Sequence, residues 1–296
     1  MHFNESNPVV NEDLNYIIEN TSDCDFNNST ILITGCAGFI GFYLTKYLTI
    51  NYKKLGIKSI IAIDSFLLGD CPRWLQNLEK NFPSVIKIHK FILGTNDIST
   101  ITGFKDVSHI LHMASIASPT YYRKYPLETI DANVWGLRNL LDSYKESDVL
   151  KSVVFFSSSE IYGDPDKDNI PTEENYRGLV SCTGPRACYD EAKRFGETLC
   201  VIYREKFNMP ISVVRPFNNY GPGMSLYDKR LPADLAKCIQ ENKDIILFSD
   251  GSPCRTFCYV ADAIVGFLKV LSNNHYTEFN IGIDSNEISV FQLAKY

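Results

Sequence analysis

Tyr189 and Lys193 stand four residues apart within a stretch, 188–206, whose pattern predicts a helix. That spacing puts both side chains on one helix face. An ammonium beside a phenol favours the phenolate and lowers the phenol from its usual pKa of about 10. Such a tyrosine can take the proton of an alcohol while a nicotinamide takes the hydride. Upstream, the apolar run Val153-Val154-Phe155-Phe156 ends in Ser157-Ser158-Ser159-Glu160. In a parallel sheet the carboxyl ends of the strands face the ligand crevice. A serine hydroxyl placed there meets both the substrate oxygen and the tyrosine.

A second constellation lies near the start. An apolar strand over 30–34 leads into Gly35-Cys36-Ala37-Gly38-Phe39-Ile40-Gly41, and a helix follows over 42–49. Glycines spaced in this way let backbone N–H groups approach a pyrophosphate, and the helix N-terminus favours its negative charge. The next apolar strand, 59–63, ends at Asp64. A carboxylate there accepts from the adenosine ribose hydroxyls and repels a 2′-phosphate, which predicts NAD rather than NADP.

These side chains need a scaffold. Further apolar strands are predicted over 85–89, 107–112 and 152–157, with helices over 126–143 and 188–206 between and after them. Alternating strand and helix predicts an α/β fold, a Rossmann-like doubly wound parallel sheet. Beyond 212–215 the order loosens at Gly221-Pro222-Gly223, and a helix near 232–241 opens a smaller C-terminal substrate lobe. Val10, Leu14, Ile17 and Ile18 give one apolar face to a short helix over 9–19, which reads as a strap on the main domain. The expected division is an N-terminal extension over 1–29, a mainly NAD-binding domain over 30–217 and a mainly substrate-binding lobe over 218–296. That lobe returns to the main domain near 255–271.

Composition narrows the function classes. Lys and Arg total 29 against 35 Asp and Glu, a net charge of −6 with no basic block. That argues against duplex nucleic acid or an anionic membrane as partner, while a few local arginines suffice for an anionic small molecule. The nine cysteines include no CxxC pair and no zinc spacing, so reduced thiols without metal or disulfide framework are expected. The polar start lacks a signal-peptide pattern, and apolar runs fall well short of the ~20 residues of a membrane helix. A cytoplasmic enzyme is expected.

The segments Thr34–Gly41, Ser157-Ser158-Ser159-Glu160-Ile161-Tyr162-Gly163 and Tyr189-Asp190-Glu191-Ala192-Lys193 together resemble the signatures of the extended short-chain dehydrogenase/reductases. These are the NAD-dependent nucleotide-sugar epimerases and dehydratases. Within that family the stretch from Gly184 to Arg194 is similar to the UDP-glucuronate decarboxylase group, as are Ser118-Pro119, Gly163-Asp164-Pro165 and the stretch from Arg255 to Val260. The resemblance covers about 30–296. It implies a cycle in which NAD stays bound, the sugar C4 hydroxyl is oxidised to a ketone, a neighbouring centre reacts, and C4 is reduced again. By matched position it implies that Ser158 and Tyr189 hold the C4 oxygen, that Tyr189 is the base, and that Lys193 tunes it and grips the nicotinamide ribose. Glu160 aligns with the acidic residue used after oxidation, and Arg255 with an arginine near the carboxylate or diphosphate. Ser118, Arg186, Asn218 and Arg230 fall at substrate positions. Phe39, Ile40 and Ala114 join Gly35, Gly38, Gly41 and Asp64 around the cofactor. Family members continue past the position of Tyr296, so the sugar lobe reads as truncated there, and they pair as homodimers through the helices read here over 126–143 and 188–206.

Departures refine this. Dehydratases of the family carry Asp-Glu where this chain has Ser159-Glu160, which favours decarboxylation over loss of water. One proline of the decarboxylase segment is missing in Ser115-Ile116-Ala117-Ser118-Pro119, and Phe91-Ile92-Leu93-Gly94 occupies the place of an adenine-contacting Asp. The alternatives are a nucleotide-sugar 4-epimerase, 4-oxidase or 4,6-dehydratase. From another class, a non-catalytic NAD-binding protein fits the same fold.

Overall fold

Short β-branched runs cannot satisfy their backbone groups alone, so they pair side by side, and amphipathic helices bury their apolar stripes on both faces of the result. The computed structural model describes residues 7–247, 249–273 and 275–296. Its strands are β1 (Ser29–Thr34), β2 (Ile57–Asp64), β3 (Ile86–Lys90), β4 (His109–His112), β5 (Ser152–Phe156), β6 (Ile211–Pro216), β7 (Cys254–Arg255), β8 (Glu278–Ile281) and β9 (Ile288–Ser289). Seven of these form one sheet in the order β3-β2-β1-β4-β5-β6-β8, and every pairing is parallel. All six residues of β1 are buried, and Ile33 lies opposite Ala62 on one side and Leu111 on the other. The direction of winding reverses between β1 and β4. There the carboxyl ends of the strands leave a crevice.

The helices are α1 (Pro8–Asn20), α2 (Phe39–Ile50), α3 (Arg73–Asn81), α4 (Pro119–Lys124), α5 (Pro126–Ile130), α6 (Gly136–Tyr144), α7 (Ala187–Phe207), α8 (Leu231–Gln240), α9 (Val260–Ser272) and α10 (Val290–Lys295). One face of the sheet is covered by α1, α2, α3 and α9, through residues such as Ile17, Leu44, Leu75 and Phe267. The other is covered by α6 and α7, through Leu137, Leu141, Leu199 and Tyr203. A smaller C-terminal lobe holds α8, the antiparallel β7–β9 pair and α10, whose start is capped reciprocally by Ser289 and Gln292.

The structure differs from the sequence reading in three places. The helix expected over 126–143 carries a π turn, Asp131–Trp135, between α5 and α6. The wider turn keeps Asn133, Val134 and Leu137 buried while Trp135 faces outward. α3 is an additional crossover helix between β2 and β3. The sheet also gains β8, a half-buried edge strand that pairs with β6. Among the described residues no helix is long and apolar enough to cross a membrane.

Candidate active site

A cleft of about 1760 Å³ runs across the carboxyl ends of the central strands and under the smaller lobe. On its β1–β2 side lie Gly35, Gly38, Phe39, Ile40, Gly41, Asp64 and Ala114. On its β5–β6 side lie Ser118, Ser158, Glu160, Arg186, Tyr189, Lys193, Asn218, Arg230 and Arg255. The fold thus gathers into one cavity the residues named from type and spacing and those named only through the family resemblance.

The glycine turn is held from two strands. Gly35 has φ +74° and donates its N–H to the Ile63 carbonyl at 2.9 Å. A Cβ on Gly35 would stand 2.9 Å from the Ala114 backbone, so no other residue fits the turn. α2 begins at Gly38 without any side-chain cap, which leaves its first N–H groups for an anion. Asp64 braces the same turn. One carboxylate oxygen accepts from the Ala37 N–H at 3.0 Å and the other from the Phe66 N–H at 2.9 Å. Burial pushes its carboxyl up and these bonds pull it back. Asp64 lines the cleft, and a carboxylate has capacity to accept further bonds there. Backbone donors at the turn and a carboxylate beyond it fit the pyrophosphate and ribose of a dinucleotide. We expect NAD to bind at least about tenfold more tightly than NADP, because a 2′-phosphate would meet Asp64. Titration of both, with Asp64→Ala narrowing the gap, checks this.

At the other side the chain turns sharply. Strand alternation predicts Ser158 and Glu160 on one side of a continuing strand. Instead β5 ends at Phe156 and Ser159–Tyr162 form a 3₁₀ turn. The cause is local: the Ser158 hydroxyl accepts from the Glu160 N–H at 3.2 Å and bends the chain. Ser158 therefore does two jobs, since its hydroxyl also bonds Tyr189. Tyr189 is 6% exposed and stacks on Tyr122, with ring centroids 5.2 Å apart.

The expected lowering of the Tyr189 pKa is not found. Burial pushes the phenol up to about 12, with the Ser158 bond acting the other way. Lys193 is itself buried, and that brings its ammonium down to about 7. Its Nζ donates to the Phe156 carbonyl and lies 5.7 Å from the centre of the Tyr189 ring. Sequence spacing could place the two groups together but carried no measure of desolvation, which dominates both.

The arginines divide. Arg186 bonds Glu160 and, through Nε at 3.2 Å, Asp190. Arg230 bonds Asp228, whose carbonyl accepts from the Ser118 hydroxyl at 2.7 Å. The positive charge of Arg230 reaches both Tyr189 and Glu160. Arg255 is exposed on β7 and donates to its neighbouring Cys254 carbonyl at 2.7 Å. Asn218 donates to the Thr256 carbonyl at 3.0 Å and so joins two cleft-lining segments. Two cleft neighbours escaped the sequence reading. Tyr122 brings a buried hydroxyl with no hydrogen-bond partner among the described residues. Asn133, in the π turn, donates to Ser115 at 2.9 Å. A tyrosine cluster at 121, 122 and 125 was the available signal for the first; nothing in the sequence marks the π turn.

The profile of the NAD dependent epimerase/dehydratase family matches residues 31–282. UDP-glucuronic acid decarboxylase 6 of Arabidopsis thaliana is 34% identical over 269 residues, covering 91% of this chain and 73% of that protein. UDP-glucuronic acid decarboxylase 1 of Xenopus tropicalis is 32% identical over 265 residues, 90% of this chain and 58% of that protein. The chain therefore spans between about half and three quarters of these relatives. Among solved structures, UDP-glucuronic acid 4-epimerase from Bacillus cereus, in complex with UDP-glucuronic acid and NAD, has a TM-score of 0.74 at 25% identity, with 89% of this chain and 80% of that one covered. UDP-N-acetylglucosamine 4-epimerase from Methanobrevibacter ruminantium M1 has a TM-score of 0.77 at 23% identity, covering 91% and 81%, a likeness of fold.

Proposed function

The chain belongs to the NAD dependent epimerase/dehydratase family, and from that premise we propose that it decarboxylates UDP-glucuronate to UDP-xylose through transient oxidation at C4. The observation that carries the reading is the grouping of Ser158, Glu160 and Tyr189 with Arg186 and Arg230 in one cleft. The first set handles the C4 oxygen and its neighbours, and the arginines supply charge for an acidic, phosphorylated sugar.

NAD, when bound, accepts the C4 hydride and later returns it. Ser158 holds the C4 oxygen, and Tyr189 takes the hydroxyl proton as the ketone forms. A ketone β to the C5 carboxylate accepts the electron pair left when the C5–carboxylate bond breaks, so CO2 departs and C5 takes up a proton. Glu160 stands at the turn beside this centre, and Tyr189 gives its proton back when C4 is reduced. Ser159 in place of an Asp fits decarboxylation rather than dehydration. A second reading, epimerisation of the same acid at C4, draws on the likeness to the Bacillus cereus epimerase. Mass spectrometry of products from UDP-, dTDP- and GDP-sugars, with proton NMR for the configuration at C4, tests both. Loss of CO2 from UDP-glucuronate supports decarboxylation, unchanged mass with inverted C4 supports epimerisation, and loss of water supports dehydration.

The titrations also predict a pH profile. With Lys193 at about 7 and Tyr189 at about 12, the first proton leaves the pair from Lys193 as pH rises through about 7. The singly deprotonated pair is the working base, because its remaining proton can shift from phenol to amine. C4 oxidation should therefore rise with pH to a plateau above about 7 and fall about tenfold per unit well below it. Stopped-flow NADH absorbance across the acidic to mildly alkaline range checks this.

We further propose that 30–217 forms mainly the cofactor domain, that 218–296 forms mainly the substrate lobe, and that the protein pairs with a second copy. Leu127, Trp135, Phe195 and Ile202, on and around α5 and α7, are exposed apolar residues that an isologous helix bundle would cover. Light scattering should give about twice the 33.6 kDa of one chain, and Trp135→Glu should return it to one.

A further inference from the structure

We propose that Asp13, on a helix outside the span matched by the family profile, is a positioning residue that ties the substrate side of the cleft to the cofactor side. The proposal rests on the nucleotide-sugar reading of the cleft. α1 buries Val10, Leu14 and Ile17 at 5% exposure or less, which is enough to dock it on the sheet's helical face beside α9. Asp13 on the same face is only 6% exposed. A carboxylate is a poor choice for docking alone, since burying it costs several kcal/mol unless it is bonded, where Leu or Ala would simply pack. Its value is geometric.

One oxygen of Asp13 accepts two tyrosine hydroxyls, from Tyr43 at 2.6 Å and Tyr259 at 3.2 Å. Tyr43 is on α2, one turn beyond Phe39, and its ring meets the Phe39 ring edge-on at 6.5 Å. That is the helix whose N-terminus forms the phosphate end of the cleft. Tyr259 directly precedes α9 and ends the stretch from Arg255. This stretch runs beside 218–220. Tyr220 N–H donates to the Cys258 carbonyl at 3.1 Å, Val260 N–H to the Tyr220 carbonyl at 2.8 Å, and Asn218 to the Thr256 carbonyl at 3.0 Å. Asn218, Arg255 and Phe257 all line the cleft. Asp13 thus fixes where these substrate-side groups stand relative to α2. The other hydroxyl bond from α1 to α9, Tyr16 to Asp262 at 2.7 Å, holds the helix down without touching this stretch, and it serves as the control.

The experiment compares Tyr259→Phe, Asp13→Ala and Tyr16→Phe by calorimetry, first with NAD and then with UDP-glucuronate added to the NAD-loaded protein. Hydrogen exchange of the Tyr220 and Val260 amides is followed in each. Tyr259→Phe and Asp13→Ala should weaken UDP-glucuronate about tenfold, leave NAD within about twofold, and speed exchange at both amides, whereas Tyr16→Phe should change none of these. Loss of melting temperature alone, with UDP-glucuronate affinity and amide protection as in the wild type, overturns the proposal. If the wild type takes up no UDP-glucuronate, the decarboxylase reading falls. Amide protection then decides the positioning role by itself, and unchanged exchange in Tyr259→Phe and Asp13→Ala overturns it.

Discussion

Tyr189→Phe should lower the rate of C4 oxidation by about 10²-fold or more while leaving the fold intact. The ring is buried and stacked on Tyr122, and phenylalanine keeps that packing. What disappears is the oxygen that bonds Ser158 and that is proposed to take the substrate proton. Lys193→Ala should act in the same direction and also loosen the cofactor. It removes the partner whose lower pKa supplies the pair's first ionisation, so the rise near neutral pH should vanish with it. Single-turnover NADH formation measures both variants. Normal turnover in Tyr189→Phe would mean that another group is the base.

Gly41→Ala should abolish measurable NAD binding, a loss of about 10²-fold or more. Gly41 lies in the first turn of α2, where its Cα faces the glycine turn. A methyl group there would stand 2.4 Å from the Gly35 carbonyl oxygen and 2.7 Å from that of Cys36. Both are backbone atoms, so no rotamer change relieves the clash, and the turn must move away from the pyrophosphate position. Calorimetry with NAD reads the loss, and circular dichroism confirms that the sheet survives. Binding at wild-type strength would place the cofactor elsewhere.

The parts of this account that the sequence carried share a physical feature. β1 and β5 are built around continuous apolar runs, 31–33 and 153–156, because both their faces are buried, and such runs can be read without a structure. The glycine turn and the Tyr189/Lys193 spacing are equally local. What could not be read depends on distant neighbours. β8 has two polar residues in four, since it sits half-buried at a sheet edge, and only its pairing with β6 defines it. The position of Glu160 followed from Ser158 bending the chain rather than from strand alternation. The direction of the Tyr189 shift depends on burial, which Ile116 and Tyr122 help to provide from outside its own helix. Nothing in the sequence marks Asp13, and its role emerges only where Tyr43 and Tyr259, far apart in sequence, converge on it.

In the proposed reaction, oxidation at C4 of an acidic nucleotide sugar comes first and loss of CO2 follows. Rapid mixing of the NAD-loaded protein with saturating UDP-glucuronate, with NADH absorbance and released CO2 followed together, tests it most directly. The expected result is a transient rise of NADH that decays as CO2 and UDP-xylose appear. No UDP-glucuronate-dependent NADH at saturating substrate would contradict it.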